Sequence, residues 1–378
     1  MKIPFSKPPI VGGEIENISQ AFENGIHMGG GQFSKKTEKF IENKYNIGKV
    51  LLTTSCTDAL EMAAILSGGT LGDEFIVPSY TFSSTANAFA LRGMKPIFCD
   101  IDINTLNIDV NKISNLITSK TKAIVPIHYA GIPADMDKIN KIAEEHKILV
   151  IEDAAQAVNS KYNKKYAGSL ADLGTFSFHA TKNYSCGEGG ALCINNSNYF
   201  KRSDYLLEKG TDRSEVVAGL KNKYSWVDLG SSFLPSDLLA SMLYTQLEKG
   251  DLIMEKRKKL HFTYIDLFKS LQIDEIKHIL IPENVDPNYH AFWILLKDET
   301  MRNNFFAKCK EYNISSYIGY VPLHSSKMGI KVGETRESLL VTENISGRIV
   351  RLPFYLMNDD EINYVYDSLK KILKLIYK

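Results

Sequence analysis

The chain has no uninterrupted apolar stretch approaching the ~18 residues of a membrane span. Its opening residues, with Lys2 and Lys7 set among prolines, contain no apolar core of the kind a secretory signal carries. A cytoplasmic protein is therefore expected. Cysteine is scarce: Cys56, Cys99, Cys186, Cys193 and Cys309 are odd in number and lack CxxC or histidine-paired spacing. That pattern argues against a disulfide framework and against a zinc site, so no metal is expected. An excess of charge of one sign is also missing, since 45 basic side chains stand against 44 acidic ones and leave a net charge of +1. Such a balance gives no global pull toward nucleic acid or a membrane. No basic helix-turn-helix stretch, internal repeat or low-complexity tract is evident. The run Gly29-Gly30-Gly31 follows no clear strand and completes no GxGxxG pattern, which weighs against a nicotinamide-dependent oxidoreductase.

What is present is the composition of a soluble globular protein, with 44% hydrophobic and 24% charged residues. Its 378 residues exceed one compact core and predict a large domain followed by a smaller one. Short β-rich runs at 50–52, 74–77, 97–100, 123–127 and 148–152 alternate with helical patterns, which predicts a mostly parallel sheet covered by helices. In residues 135–146, Met136, Ile139, Ile142 and Ala143 share one face, opposite Asp137, Lys138, Lys141, Glu144 and Glu145, as in a crossover helix. Runs 175–179 and 190–194 bracket a polar turn that holds Lys182, so neighbouring strands joined by a functional loop are expected. After Gln246 the pattern becomes a long charged amphipathic stretch at 247–271, followed by strand-like pieces at 291–296 and 315–321. The large domain is accordingly placed at 1–249 and the small one at 250–378. A final helix, 360–377, carries Ile362, Val365, Leu369, Ile372, Leu373 and Ile376 near helical spacing, and packing of that face is favoured over a membrane-surface role.

Four stretches carry groups suited to chemistry. In Ser177-Phe178-His179-Ala180-Thr181-Lys182-Asn183-Tyr184-Ser185-Cys186-Gly187-Glu188-Gly189-Gly190 a lysine lies between a strand and a glycine-rich turn. A solvated lysine is the ordinary alternative at such a position. Here Ser177, Thr181 and Ser185 offer hydroxyls to a phosphate, and the glycines let the backbone approach a ligand. A lysine amine attacks an aldehyde cofactor only when deprotonated, which burial and neighbouring cations favour. The second stretch, Ile151-Glu152-Asp153-Ala154-Ala155-Gln156, ends a buried strand, where ligands of open parallel sheets bind. Asp153 can keep a pyridinium nitrogen protonated, and Gln156 can donate to a ring oxygen. A helix-capping or metal-binding acid is the other reading of this strand end. The third, Thr53-Thr54-Ser55-Cys56-Thr57-Asp58, precedes an apolar-periodic helix and forms either a phosphate seat or a plain helix cap. The fourth, Pro78-Ser79-Tyr80-Thr81-Phe82-Ser83, sets Phe82 at a strand end, as a stacking ring or as core.

Together these pieces resemble the sugar aminotransferases of the DegT/DnrJ/EryC1/StrS family, from Ile3-Pro4-Phe5 through Gly29-Gly30-Gly31 to Arg351-Leu352-Pro353-Phe354. The resemblance implies an α/β protein with the aspartate-aminotransferase fold, called fold type I, and pyridoxal 5'-phosphate as cofactor. It implies that Lys182 carries the cofactor as a Schiff base, Asp153 meets its ring nitrogen and Gln156 its ring oxygen. It puts Phe82 over the ring and Cys56, Thr57 and Ser177 at the phosphate. Many members have an Asn-Tyr-Arg-Met-like segment whose asparagine reaches the phosphate in the neighbouring subunit. This chain reads Gly230-Ser231-Ser232-Phe233-Leu234-Pro235, so Ser232 stands at that position. The Gly-Ser-Ser variant resembles the branch that makes TDP-4-amino-4,6-dideoxygalactose, although here one residue is missing between Lys182 and the Gly187-Glu188-Gly189-Gly190 turn. The implied reaction moves an amino group from L-glutamate to C4 of TDP-4-keto-6-deoxy-D-glucose for surface polysaccharide, in a homodimer whose sites are shared across the interface. Gly29, Gly30 and His324 are the candidate substrate contacts. An equatorial 4-amino or a 3-amino product, and a non-catalytic protein sensing pyridoxal phosphate or a sugar nucleotide, are the alternative readings.

Overall fold

The computed structural model describes residues 1–377. Two helices, α1 (Glu14–Glu23) and α2 (Gln32–Tyr45), precede the first strand and pack against the helix Asp237–Glu248. A central sheet then forms from β1 (Lys49–Thr53), β2 (Glu74–Pro78), β3 (Lys95–Cys99), β4 (Thr121–Ile124), β5 (Leu149–Asp153), β6 (Leu173–Ser177) and β7 (Gly190–Ile194). The order across it is β1-β7-β6-β5-β4-β2-β3, and the two-residue strand Glu334–Thr335 adds to the β3 edge. Only β7 runs antiparallel to its neighbours β1 and β6; the other pairings are parallel. Strands buried on both faces read as near-continuous apolar runs, which is why the five expected strands overlap the observed ones, with ends displaced by at most about three residues. The two strands expected around Lys182 are indeed adjacent, with Ser177 opposite Gly190.

Helices α3 (Cys56–Leu66), α4 (Ser83–Ala90) and α5 (Met136–His146) follow β1, β2 and β4. Ser55 caps α3 by accepting from Asp58 N at 3.1 Å, and Asp135 caps α5 by accepting from Lys138 N at 3.3 Å. The chain from α6 (Gly250–Leu271) onward supplies a second sheet of three antiparallel strands, β8 (Lys277–His278), β9 (Trp293–Leu295) and β10 (Ile349–Arg351), in that order. The segment 315–321 is not a strand. It makes one bridge, Tyr317 to Arg351, then turns away: the Gly319 backbone lies against the Tyr80 hydroxyl, and Pro322 has no N–H to continue a ladder. The last helix, α7 (Asp359–Ile376), opens with an Asn358–Glu361 capping box and buries Ile362, Val365, Leu369, Ile372 and Leu373 in the core. Among the described residues no helix is long and apolar enough to cross a membrane. Residues near the start join this half: Ile3 pairs with Ile314, donating to Asn313 O and accepting from Ser315 N, both at 2.9 Å.

One carboxylate pins the end of β5. Glu152 is fully buried and accepts from Gly168 N (2.8 Å), Leu170 N (2.7 Å), Ala171 N (3.0 Å) and His128 Nε2 (2.9 Å). His128 Nδ1 in turn accepts from Ala134 N at 3.1 Å, so the ring carries its proton on Nε2. Glu152→Ala leaves three backbone donors and an imidazole N–H unsatisfied in the core. The expected cost is about 3 kcal/mol or more, read as a lower urea midpoint with the far-ultraviolet spectrum of the folded protein unchanged.

Candidate active site

A cavity of about 390 Å³ opens at the carboxyl ends of the central strands, between them and the C-terminal half. It is the place the strand topology dictates, because the loops leaving β1, β2, β5 and β6 converge there. Lys182 lines it on the turn between β6 and β7. That turn is closed by Phe178 N to Gly189 O and Ala180 N to Gly187 O, both 2.8 Å, and Gly187 has φ +86°, a conformation that favours glycine. Burial pushes the pKa of the Lys182 amine below the ordinary lysine value, the Arg351 charge adds to this, and Cys56 and Asp153 oppose it.

Asp153 reaches the same cavity from the end of β5. One of its oxygens accepts from Thr85 Oγ1 at 2.7 Å and the other from Ala155 N at 3.1 Å. Gln156 is held from both sides: its carbonyl accepts from Ala130 N at 2.9 Å and its amide donates to Tyr320 Oη at 2.8 Å. Phe82, at the start of α4, is 58% exposed and tilts toward Tyr320 with ring centroids 6.2 Å apart, so its ring is open to stack on a planar group. Cys56 and Thr57 present the first turn of α3 to the cavity, with Ser177 alongside. The Cys56 thiol is pushed well above its ordinary pKa, by burial first and then by Asp153, so it is no thiolate nucleophile. A Cβ on Gly190 would overlap the backbone of Ser55 and Cys56, so glycine there lets β7 pass close behind this helix start. Among the described residues no cluster of histidine, cysteine or carboxylate side chains has the arrangement of a metal site.

Seven of the expected residues thus meet in one cavity, namely Lys182, Asp153, Gln156, Phe82, Cys56, Thr57 and Ser177. The other four lie elsewhere in the chain's own fold. Ser232 is exposed and bridges to Glu208. Gly29 packs on Leu234 and Pro235, and the glycine run ends where Asp237 accepts from Phe33 N (3.2 Å) and Ser34 N (2.7 Å) at the start of α2. Gly30 has φ +79° with open space around it, so the turn itself requires glycine there. His324 stands in a row with Ser79 Oγ (2.7 Å from Nδ1) and Glu343 (3.4 Å from Nε2). Ser79 is completely buried, so this Ser-His-Glu row cannot act as a nucleophilic relay and instead ties the end of β2 to the C-terminal half.

Sequence reasoning missed Thr85, Tyr320, Arg351 and His290. Thr85 and Tyr320 lay inside or beside quoted segments, but their use depends on which neighbours the fold supplies. His290 Nδ1 meets Asn183 Oδ1 at 2.9 Å, next to Lys182 in the chain, and Arg351 lines the cavity from β10.

The model of the DegT/DnrJ/EryC1/StrS aminotransferase family matches residues 9–370. The chain belongs to that family. The aminotransferase is 32% identical to the spore coat polysaccharide biosynthesis protein SpsC of Bacillus subtilis (strain 168), across 98% of this chain and 97% of that one. It is 27% identical to GDP-perosamine synthase of Escherichia coli O157:H7, across 98% of each. Its fold matches the solved aminotransferase TlmJ of Streptoalloteichus hindustanus with a TM-score of 0.91 at 26% identity, covering 100% of both chains. It is a pyridoxal-phosphate-dependent sugar aminotransferase of fold type I. The cavity fits that cofactor by its donor set: one amine with depressed pKa, one carboxylate braced by a threonine, an open aromatic ring and a helix start with hydroxyls.

The placement of His324 has a direct consequence. His324→Ala removes the link between Ser79 and Glu343, and a loss of about 1–2 kcal/mol of stability is expected, measured as a lower thermal midpoint of the cofactor-loaded protein.

Proposed function

We propose that the enzyme transfers the amino group of L-glutamate to C4 of TDP-4-keto-6-deoxy-D-glucose, giving TDP-4-amino-4,6-dideoxygalactose and 2-oxoglutarate for surface polysaccharide. The observation that carries the chemistry is Lys182, a lysine with lowered pKa facing Asp153 across one cavity. The substrate and product rest on the Gly230-Ser231-Ser232 and Lys182-Asn183-Tyr184 segments and their likeness to that branch of the family.

When bound, pyridoxal phosphate supplies an aldehyde for the amino group and a ring that accepts electrons from the reacting carbon. Lys182 would hold it covalently, Asp153 would hold a proton on the ring nitrogen, and Gln156 would donate toward the ring oxygen. Cys56, Thr57 and Ser177 seat the phosphate, where the positive end of α3 favours an anion. Phe82 would offer its exposed ring for stacking. Once the donor amine has taken its place, the Lys182 Nζ would be free to take the proton from the donor's α-carbon. In the second half of the cycle it delivers a proton to the sugar carbon that receives nitrogen. Thr85 keeps Asp153 aimed, and Tyr320 and Ala130 keep Gln156 from rotating.

The working unit in this reading is a cytoplasmic homodimer, with a domain division near residue 250. The support is an exposed apolar strip, Val217, Leu220, Tyr224, Trp226 and Leu229, on the excursion that leads to Ser232. Such a patch on a soluble protein marks an interface, and a second copy seated there brings Ser232 toward the neighbouring phosphate seat. Trp226→Glu should convert the dimer to monomer in sedimentation and weaken cofactor binding about tenfold or more. A wild-type protein that sediments as a monomer while fully active would remove this part of the reading.

The assay is incubation with pyridoxal phosphate, L-glutamate and TDP-4-keto-6-deoxyglucose, with nitrogen position and C4 configuration read by NMR. An axial 4-amino sugar is expected; an equatorial or 3-amino product would keep the chemistry and replace the substrate assignment. Lys182→Ala should lower turnover by at least about 10⁴-fold, since one base serves both halves.

A further inference from the structure

His290, just ahead of β9, lines the cavity together with Lys182 and takes no part in the chemistry proposed so far. Its tautomer is set by its neighbours. The side-chain amide of Asn183, the residue after Lys182, donates from Nδ2 to Asn288 O at 2.8 Å. A backbone carbonyl only accepts, so the other end of that amide, which meets His290 Nδ1 at 2.9 Å, is the oxygen. Nδ1 therefore carries the proton of a neutral ring, and Nε2 keeps a bare lone pair. Burial holds the ring neutral, and Lys182, Arg257 and Arg351 all disfavour a further positive charge there. Nε2 makes no hydrogen bond within the described residues and is not one of their sealed, unpartnered polar atoms, so it opens into the cavity. Other strong acceptors of the wall are occupied. The carbonyl of Gln156 accepts from Ala130 N, the oxygens of Asp153 accept from Thr85 Oγ1 and Ala155 N, and Glu188 lies 3.6 Å from His179.

We infer that His290 is a positioning residue for Lys182: its Nε2 accepts a hydrogen bond from the Lys182 amine whenever that amine is not bonded to the cofactor. The inference rests on the reading of Lys182 as the proton carrier and adds the group that holds it between its two tasks. A free lysine side chain has many rotamers, and an ammonium inside a cavity has lost much of its water. One fixed lone pair meets both difficulties. It restricts where Nζ goes, and it stabilises the ammonium that forms when Lys182 takes a proton. The proton stays on Nζ, since a buried ring beside three cations does not accept it. Asn183 makes the coupling direct, being joined to Lys182 by one peptide bond and to His290 by one hydrogen bond.

Two readouts need no turnover. In cofactor-free protein with isotope-labelled histidine, proton–nitrogen correlation spectra should show His290 as the neutral Nδ1–H tautomer from about pH 6 to about pH 8. A charged ring or an Nε2–H tautomer would overturn the inference. The second readout is the rate at which cofactor-free protein captures pyridoxal phosphate, which rises with pH as the Lys182 amine loses its proton. His290→Asn keeps an amide N–H where Nδ1 stands and leaves Nε2 without a substitute, whereas His290→Gln reaches the Nε2 position. Losing an acceptor disfavours the ammonium, so His290→Asn should shift the rise to lower pH by about one unit, and His290→Gln by less than about 0.3 unit. The groups that face this pair from the packed elements, Cys56, Asp153, Arg257, Arg351, Tyr184 and Tyr320, are the same in both variants. An unshifted rise in His290→Asn, or equal shifts in both variants, would overturn the inference. In the loaded enzyme, His290→Asn should slow the glutamate half-reaction about tenfold with KM within about twofold, and His290→Gln should recover most of that loss. If His290→Asn fails to fold, the tautomer in the wild-type protein still decides. A wild-type protein unreactive toward L-glutamate would count against the proposed donor, and the capture profile would still decide His290.

Discussion

Four hydrogen bonds converge on the buried carboxylate of Glu152, and the geometry of the site depends on them. Side chains alternate along a strand, so locking Glu152 into one face of the sheet turns Asp153 to the other, toward the cavity. The same interaction reaches further through His128. That ring links Glu152 to Ala134 N, fixing the loop whose Ala130 N–H holds Gln156. A carboxylate outside the cavity lining thereby sets the positions of two side chains that belong to it.

The surroundings of the cavity lysine lower its proton affinity. Burial disfavours the ammonium of Lys182, and the nearby Arg351 charge works in the same direction. His290, held by Asn183 and depressed well below the ordinary histidine pKa by burial and by Lys182, Arg257 and Arg351, adds no second positive charge. Burial and these charges thus favour the uncharged amine, and Asp153 is braced by Thr85 in the same cavity.

Much of this was legible in the chain. The alternation of buried strands and crossover helices, the Lys182 turn and the acid at the end of β5 are local signals, because apolar runs, caps and glycine turns are written in neighbouring residues. The segment 315–321 has the apolar content of a strand, but its backbone is spent on Tyr80 and on a single bridge to Arg351, and Tyr317, Ile318 and Val321 stay largely exposed. Thr85, Tyr320 and Arg351 escaped for a related reason. A threonine inside a helix, a tyrosine in a loop and an arginine on a short strand acquire their roles only when residues far away in sequence arrive beside them. The glycine run near residue 30 shows the converse: its pattern suggested a ligand, and its use includes close packing on Leu234 and Pro235.

The opening of the chain is woven into the cavity it precedes. Ile3 pairs with Ile314, Phe5 O accepts from Phe354 N at 3.0 Å, and the Phe5 ring forms part of the wall between Tyr317 and Arg351. Anything fused ahead of Met1, such as a purification handle or a surface-immobilisation linker, therefore emerges a few residues from the chamber's lining. Attachment beyond α7, whose apolar face is already committed to the core, leaves that lining untouched and is the better choice for tethering the protein.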